Sequence, residues 1–322
     1  MTVRLLRRRR AEPPTNAGSG DLAAEQIVLE TPEQLLLRIE FRVLRRLDGL
    51  LQGANRTLFY GSGLDFADLR EYQFDDDVRH IDWNVTARLD TPHVRTFHED
   101  RDLTAWFLVD RSGSMDFGSS GRSKAAAANE FVTAMARLLS REGNRIGAIL
   151  YDQGVERVVE PSTGRRHVLH LARETMRSVQ RERPVATTDL TGLIDAALER
   201  VRRRSLVFVV SDFMSAPGWE ERLGLLGRRH DVVAIRVVDQ SEDKLPDAGL
   251  VAIADAETGE QVVVDTADPG FRRRFAEVSA ARERAFSEAF RSARSDVFTL
   301  ATDGAVIDTL LEMAASRGKG RR

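Results

Sequence analysis

Leu103-Thr104-Ala105-Trp106-Phe107-Leu108-Val109-Asp110-Arg111-Ser112-Gly113-Ser114 is the stretch from which the fold of this chain is read. Its apolar run has the length of a buried strand, and it ends on a carboxylate followed by two hydroxyls within one tight turn. Side chains at the carboxyl end of a strand stand where open α/β sheets bind their ligands. Asp110, Ser112 and Ser114 together offer hard oxygen donors suited to Mg2+ or Mn2+, cations that accept such ligands and retain several waters. The 322-residue sequence has no cysteine, which excludes disulfides, thiolate zinc sites and cysteine nucleophiles and permits a reducing cytosol.

Beyond that stretch the pattern alternates. Phe131, Val132, Met135, Leu138 and Leu139 mark a helix, Ile146 to Tyr151 a strand, Val168 to Val179 and Leu190 to Val201 helices, and Leu206 to Val210 and Val232 to Val238 strands. A helical stretch at about 269–294, a short strand near Val297 and a last helix at about 304–315 follow. Alternation of this kind predicts an α/β fold over 103–316, with a doubly wound, mostly parallel sheet and helices on both faces.

Upstream, Thr31-Pro32-Glu33-Gln34 signals a helix start, with a hydroxyl cap, a proline in the first turn and a glutamine that reaches back. Leu37, Phe41, Leu44, Leu47 and Leu51 recur at helical spacing and predict one amphipathic helix ending near Gly53. Residues 60–102, dense in Asp, Arg and aromatics, predict loops and short strands. Arg7 to Arg10, Pro13-Pro14 and Asn16 to Gly20 mark residues 1–30 as a flexible basic tail. The expected organisation is therefore that tail, a helix with a small irregular and β segment over 31–102, the α/β domain over 103–316 and a short basic tail over 317–322.

Hydrophobic residues at 42% and charged residues at 30% are ordinary for globular chains and argue against disordered, collagenous and membrane classes. A net charge of −2 shows no global basic excess for nucleic acid or anionic lipid. Only Lys124, Lys244 and Lys319 are lysines; every other basic side chain, histidine apart, is arginine. The opening Met1 to Pro14 has positive charge without an apolar signal core, and no run of membrane-spanning length occurs, so a cytoplasmic chain is expected.

Two further residues complete the constellation. Thr188 opens the helical stretch that continues Asp189-Leu190, and Asp212 ends the strand Ser205 to Ser211. With an Asp-x-Ser-x-Ser turn, a distant threonine and a later aspartate, the sequence resembles a von Willebrand factor A domain carrying a metal-ion-dependent adhesion site. That resemblance implies one divalent cation, Mg2+ or Mn2+, held by Asp110, Ser112, Ser114, Thr188 and Asp212, with Thr187 a rival for the threonine. It also implies capture of a partner's acidic residue through the metal, because two carboxylates balance the dication while neutral hydroxyls leave it electrophilic. Taken singly, Asp110 and Asp212 are also ordinary loop acids, Ser112 and Ser114 turn formers and Thr188 a helix cap.

Residues 61–88, with Arg70-Glu71-Tyr72, Arg79, Ile81-Asp82-Trp83 and Ala87-Arg88, are similar to the signature of the domain of unknown function 58 family, whose members join it to a von Willebrand A-like domain. One departure is Asp75, where members usually have glycine. The resemblance implies partnership with a MoxR-type AAA+ ATPase in assembly, maturation or remodelling of other proteins. Arg70, Arg79 and Arg88, beside Asp82, Tyr72 and Trp83, form either an internal ion-pair brace or a partner surface. The competing function is a metal-assisted phosphoryl hydrolase with Asp110 as nucleophile. Dehalogenase-like phosphatases want a second aspartate at the position of Ser112, and Gly118 to Lys124 has the wrong spacing for a phosphate-binding loop, so no catalytic residue is assigned. His167 and His170 lack an acidic ligand motif and are expected to be a surface pair.

Overall fold

Apolar runs without polar alternation, such as Ala105 to Val109 and Leu206 to Val210, are expected in strands covered on both faces. The computed structural model places them so. It describes residues 3–6, 30–47, 68–73, 81, 83–89, 91–96, 103–119, 121–177, 189–242, 247–255, 261–293 and 295–319. In chain order the elements are β1 (Val3–Leu6), α1 (Pro32–Arg38, continued by a π-helical stretch Ile39–Leu44), β2 (Asp68–Glu71), α2 (Trp83–Leu89), β3 (His93–Thr96) and β4 (Thr104–Asp110). There follow α3 (Lys124–Arg141), β5 (Arg145–Tyr151), β6 (Val155–Ser162), α4 (Arg165–Met176), α5 (Leu190–Arg200), β7 (Leu206–Ser211), α6 (Trp219–Arg229) and β8 (Asp231–Val238). The last are β9 (Leu250–Asp255), β10 (Gln261–Asp265), α7 (Pro269–Ala293), β11 (Asp296–Ala301) and α8 (Val306–Lys319).

The main sheet has the order β11-β8-β7-β4-β5-β6, parallel throughout except for the antiparallel edge strand β6. Its alternating side chains feed two cores. Ala105, Phe107 and Val109 face α1, α3, α4 and α8, whereas Trp106 and Leu108 face α5, α6 and α7. Phe107 stacks on Phe208 of the neighbouring strand at 5.0 Å between centroids. The mixed α/β architecture with helices on both sides of a mostly parallel sheet is thus as expected. Among the described residues no helix is long and apolar enough to cross a membrane.

Several expectations need correction. α1 starts as its capping box requires, with Gln34 N–H donating to Thr31 Oγ1 (3.2 Å) and Thr31 N–H to Gln34 Oε1 (2.9 Å). Of the expected positions Leu44 and Leu47 are buried, together with Leu35, Leu36, Ile39 and Val43, whereas Leu37 and Phe41 are 46% and 57% exposed. Ion pairs fix that rotation: Glu40 meets Arg137 (2.7 Å) and Arg165 (3.1 Å), and Arg38 meets Glu130 (2.7 Å). Val3–Leu6, assigned to a tail, pairs antiparallel with β9 and so joins β10 in a three-stranded sheet. Trp83–Leu89, expected as loop or strand, is helical, and α8 continues to Lys319.

His230 caps the end of α6 with 4% of its surface exposed, and neither ring nitrogen finds a hydrogen-bond partner among the described residues. Burial, with Arg229 and Arg204 nearby, holds its pKa below the ordinary value. The unfolded chain therefore takes up a proton first as pH falls, and the stability this neutral ring contributes above its unfolded pKa is lost below it. The His230→Leu variant should accordingly lose less stability than the parent between about pH 7 and pH 5. Thermal melts across that range check this; parallel curves would exclude it.

Candidate functional site

β4 and β7 are parallel neighbours, with Val109 opposite Val210, so their last residues emerge side by side. Ser211 Oγ donates to Asp110 Oδ2 (2.6 Å), and Ser112 N–H donates to Asp110 Oδ1 (2.9 Å). The hydroxyls of Ser112 and Ser114 are 3.1 Å apart, and Ser114 lies near enough to Asp212 to help hold its pKa down. Asp110, Ser112, Ser114 and Asp212 are thereby brought together, each at most 2% exposed. Buried polar groups at this density persist only when their partners are supplied.

The local chain explains how. Ser112 precedes a single 3-10 turn, Gly113–Asp116, that Met115 anchors by full burial. Phe117 is buried next, and Lys124 N–H donates to its carbonyl (2.8 Å) as the chain doubles back. Gly118 is needed for that return, because a Cβ there would stand 2.1 Å from the Arg122 carbonyl oxygen. The first residue of α3, Lys124, consequently points inward. Its ammonium is wholly buried and donates to Asp212 Oδ2 (2.6 Å) and Glu242 Oε1 (2.7 Å).

Lys124, Glu242 and Ser211 were not among the expected site residues. Lys124 had a readable signal as one of three lysines in an arginine-rich chain. A compact ammonium fits a closed site that a planar guanidinium would overfill.

Burial, then the charge of Asp212, pushes the Asp110 carboxyl up to about 6. Burial also acts on Asp212, but the charge and hydrogen bond of Lys124 prevail and hold it below its ordinary value. Glu242 is raised, chiefly by burial, and Lys124 is raised because its two carboxylates outweigh its own desolvation. When all are ionised, the carboxylates of Asp110, Asp212 and Glu242 exceed the one ammonium by two negative charges.

After Asp212 the backbone turns sharply. Phe213 has φ +58°, and it is the only non-glycine residue with positive φ among the described residues. Its ring is clamped between Trp219 (5.1 Å) and Phe290 (4.9 Å), and its N–H donates to Ser211 Oγ (2.9 Å). A strained residue held by packing next to a buried acid is a common feature of functional sites. Asp212 Oδ1 meanwhile accepts Met214 N–H (2.9 Å).

The helix-cap role weighed for Thr188 belongs to Asp189, whose Oδ1 accepts Thr191 N–H (3.0 Å). Leu190 N–H donates to Ser215 Oγ (3.0 Å), which ties the start of α5 to the loop after Asp212. Thr187 and Thr188 lie outside the described residues, as do Arg79 and Asp82. Of the remaining signature residues, Arg70 sits in β2 opposite Val94, and Tyr72 is half-buried with its N–H on the Pro92 carbonyl (2.8 Å). Trp83 is 69% exposed and Arg88 is exposed. His167, expected at the surface, donates from Nε2–H to the Ile146 carbonyl (2.6 Å). Among the described residues no three His, Asp or Glu side chains converge as a metal cage.

A family model described as protein of unknown function DUF58 matches residues 68–285. An uncharacterized protein of Mycobacterium tuberculosis, Rv1480, is 36% identical over 286 residues, covering 88% of this chain and 89% of its own length. An uncharacterized protein of Mycobacterium bovis, Mb1516, matches with the same identity and coverage. Among solved structures, the conserved hypothetical protein BatB from Bacteroides thetaiotaomicron aligns with TM-score 0.39 and 12% identity, over 67% of this chain and 99% of that one. An aerotolerance-related membrane protein from Bacteroides fragilis aligns with TM-score 0.42 and 11% identity over the same shares.

Proposed function

The chain belongs to the DUF58 family, and from that premise we propose that it is a divalent-cation-dependent protein-interaction module with a von Willebrand A-like domain. On this proposal it works in the cytoplasm with a MoxR-type AAA+ ATPase in assembly, maturation or remodelling of other proteins. The observation that carries the cation reading is the convergence of Asp110, Ser112, Ser114 and Asp212 at the carboxyl ends of β4 and β7. The ATPase partner rests on the family resemblance alone.

The donor set fits the cation in kind. Two carboxylates and two hydroxyls are hard oxygen ligands, and the excess of two negative charges is what one dication offsets. Asp110, Ser112, Ser114 and Asp212 would hold Mg2+ or Mn2+, with Thr188 or Thr187 as the further ligand that the resemblance implies. The bound ion would supply a Lewis-acidic position for a partner's carboxylate. Lys124 fixes one oxygen of Asp212 and so orients the carboxylate without neutralising the whole site. The hydrolase alternative wants an accessible nucleophilic oxygen, whereas both oxygens of Asp110 accept hydrogen bonds and the side chain is 2% exposed.

Calorimetric titration should show Mg2+ binding to the parent and none to Asp110→Ala; equal affinity would refute the cation assignment. Recovery of the AAA+ ATPase on the immobilised chain should require Mg2+ and fail in EDTA, and identical recovery in both buffers would refute the docking role. Ser112→Ala should weaken capture less than Asp212→Asn, since water replaces a neutral ligand more readily than a charge.

A further inference from the structure

Beside Asp110 the molecule opens into a cleft of about 850 Å³ between α1 and the first turns of α3. Its charge is lopsided. Arg38, Arg42, Arg46, Arg111, Arg122 and Arg177 line it against four acids, Glu30, Asp110, Asp116 and Glu130, and the glutamates are committed: Glu130 to Arg38 (2.7 Å) and Arg122 (2.6 Å), and Glu30 to Arg38 (2.8 Å). Arg42, Arg46 and Arg177 are exposed and form no ion pair among the described residues. Uncommitted guanidinium forks on the walls of a concave surface focus positive potential and match carboxylates in bidentate geometry.

The volume lies in the range of about 300–1,000 Å³ typical of ligand sites, too large for one ion or one carboxylate. Ala126, Met176 and Ala305 give it small apolar patches between the charges, as a peptide's side chains need. Among the described residues that line it, none is an aromatic on which a nucleotide base would stack.

We propose that this cleft seats a short acidic segment of a protein partner, one carboxylate directed to the cation site at Asp110 and its neighbours gripped by Arg42, Arg46 and Arg177. The first contact rests on the cation reading above; the grip does not. Arg42 and Arg46 lie outside the family match of 68–285, on a helix that Leu36, Ile39 and Val43 fasten to the core. Selectivity for the partner segment is thus carried by this helix as well as by the sheet edge.

The test is fluorescence anisotropy of a fluorescein-labelled glutamate-rich peptide against the full chain, in Mg2+ and in EDTA. Arg42→Glu/Arg46→Glu should weaken binding roughly ten-fold or more, and Arg177→Glu should act in the same direction. Arg42→Lys/Arg46→Lys should restore much of it, and rising salt should weaken the parent. Thermal melts confirm that these exposed substitutions leave the fold intact. Peptide binding that ignores the charge reversals would overturn the cleft and leave the cation reading standing. Arginine-dependent binding that is equal in Mg2+, EDTA and Asp110→Asn would keep the grip and remove the cation contact. ATP binding through the same arginines, with no peptide binding, would assign the cleft to a nucleotide and overturn the proposal.

Discussion

Replacing Lys124 with methionine is expected to cost about 3–5 kcal/mol and to lower Tm by roughly 10 °C, because it leaves charges buried without their counterion. The ammonium is fully enclosed, and Asp212, 1% exposed at its side chain, has no other cation in contact among the described residues. Methionine fills the space of the lysine stem, so the loss measures charge rather than a cavity. Glu242 is raised above its ordinary pKa, so it protonates readily and absorbs part of the damage. Lys124→Met/Glu242→Gln should therefore be less than additive, since the two side chains share one contact. Saturating Mg2+ should return some of the stability, because a dication bound near Asp212 replaces the missing charge. Urea unfolding of the parent and both variants decides it: a loss below about 1 kcal/mol for Lys124→Met would mean that the buried pair does not form.

The strands were legible because β4 and β7 are enclosed on both faces and must be apolar throughout. The face of α1 was not, because Leu35, Leu36 and Leu37 are consecutive and offer apolar side chains to more than one side. A π-helical stretch shifts the phase, and contacts from Glu40 and Arg38 to distant arginines and glutamate then choose the rotation. α6 was not expected; it carries two glycines of low helix propensity, Gly224 and Gly227, at each of which a Cβ would stand 3.8 Å from Ala293 of α7, an ordinary contact. β6 carries Pro161, which an edge strand tolerates and a central one does not.

The candidate site divides in the same way. Asp110, Ser112 and Ser114 are neighbours in sequence, and Asp212 ends an adjacent strand, so their meeting follows from sheet topology. Lys124 and Glu242 meet Asp212 only because the Gly118 turn and the end of β8 return to that edge. No local pattern encodes such an encounter.

A second consequence of that arrangement separates a cation site from a merely structural cluster. At neutral pH in EDTA, Asp110→Asn should be more stable than the parent; in Mg2+ the order should narrow or reverse. Asparagine is isosteric and can still accept Ser112 N–H while donating to Ser211 Oγ, so the substitution removes charge and little else. The sign follows from the carboxyl's elevation from 3.8 to about 6: between those values the folded state keeps a proton that the unfolded state has lost, so stability falls as pH rises through the interval. At about 1.4 kcal/mol per pH unit, the gap from 3.8 to about 6 amounts to about 3 kcal/mol at neutral pH, and it vanishes below about pH 4. Cation binding acts oppositely, since an ion present at about 100 times its Kd stabilises the parent by about 2.7 kcal/mol and the uncharged variant by much less. Melts of both proteins in EDTA and Mg2+, at neutral and acid pH, should therefore show two curves that converge in acid and approach or cross with metal. Equal Mg2+ shifts in parent and variant would mean that Asp110 is not a ligand, and a variant less stable than the parent in EDTA would mean that the buried carboxylate is not under strain.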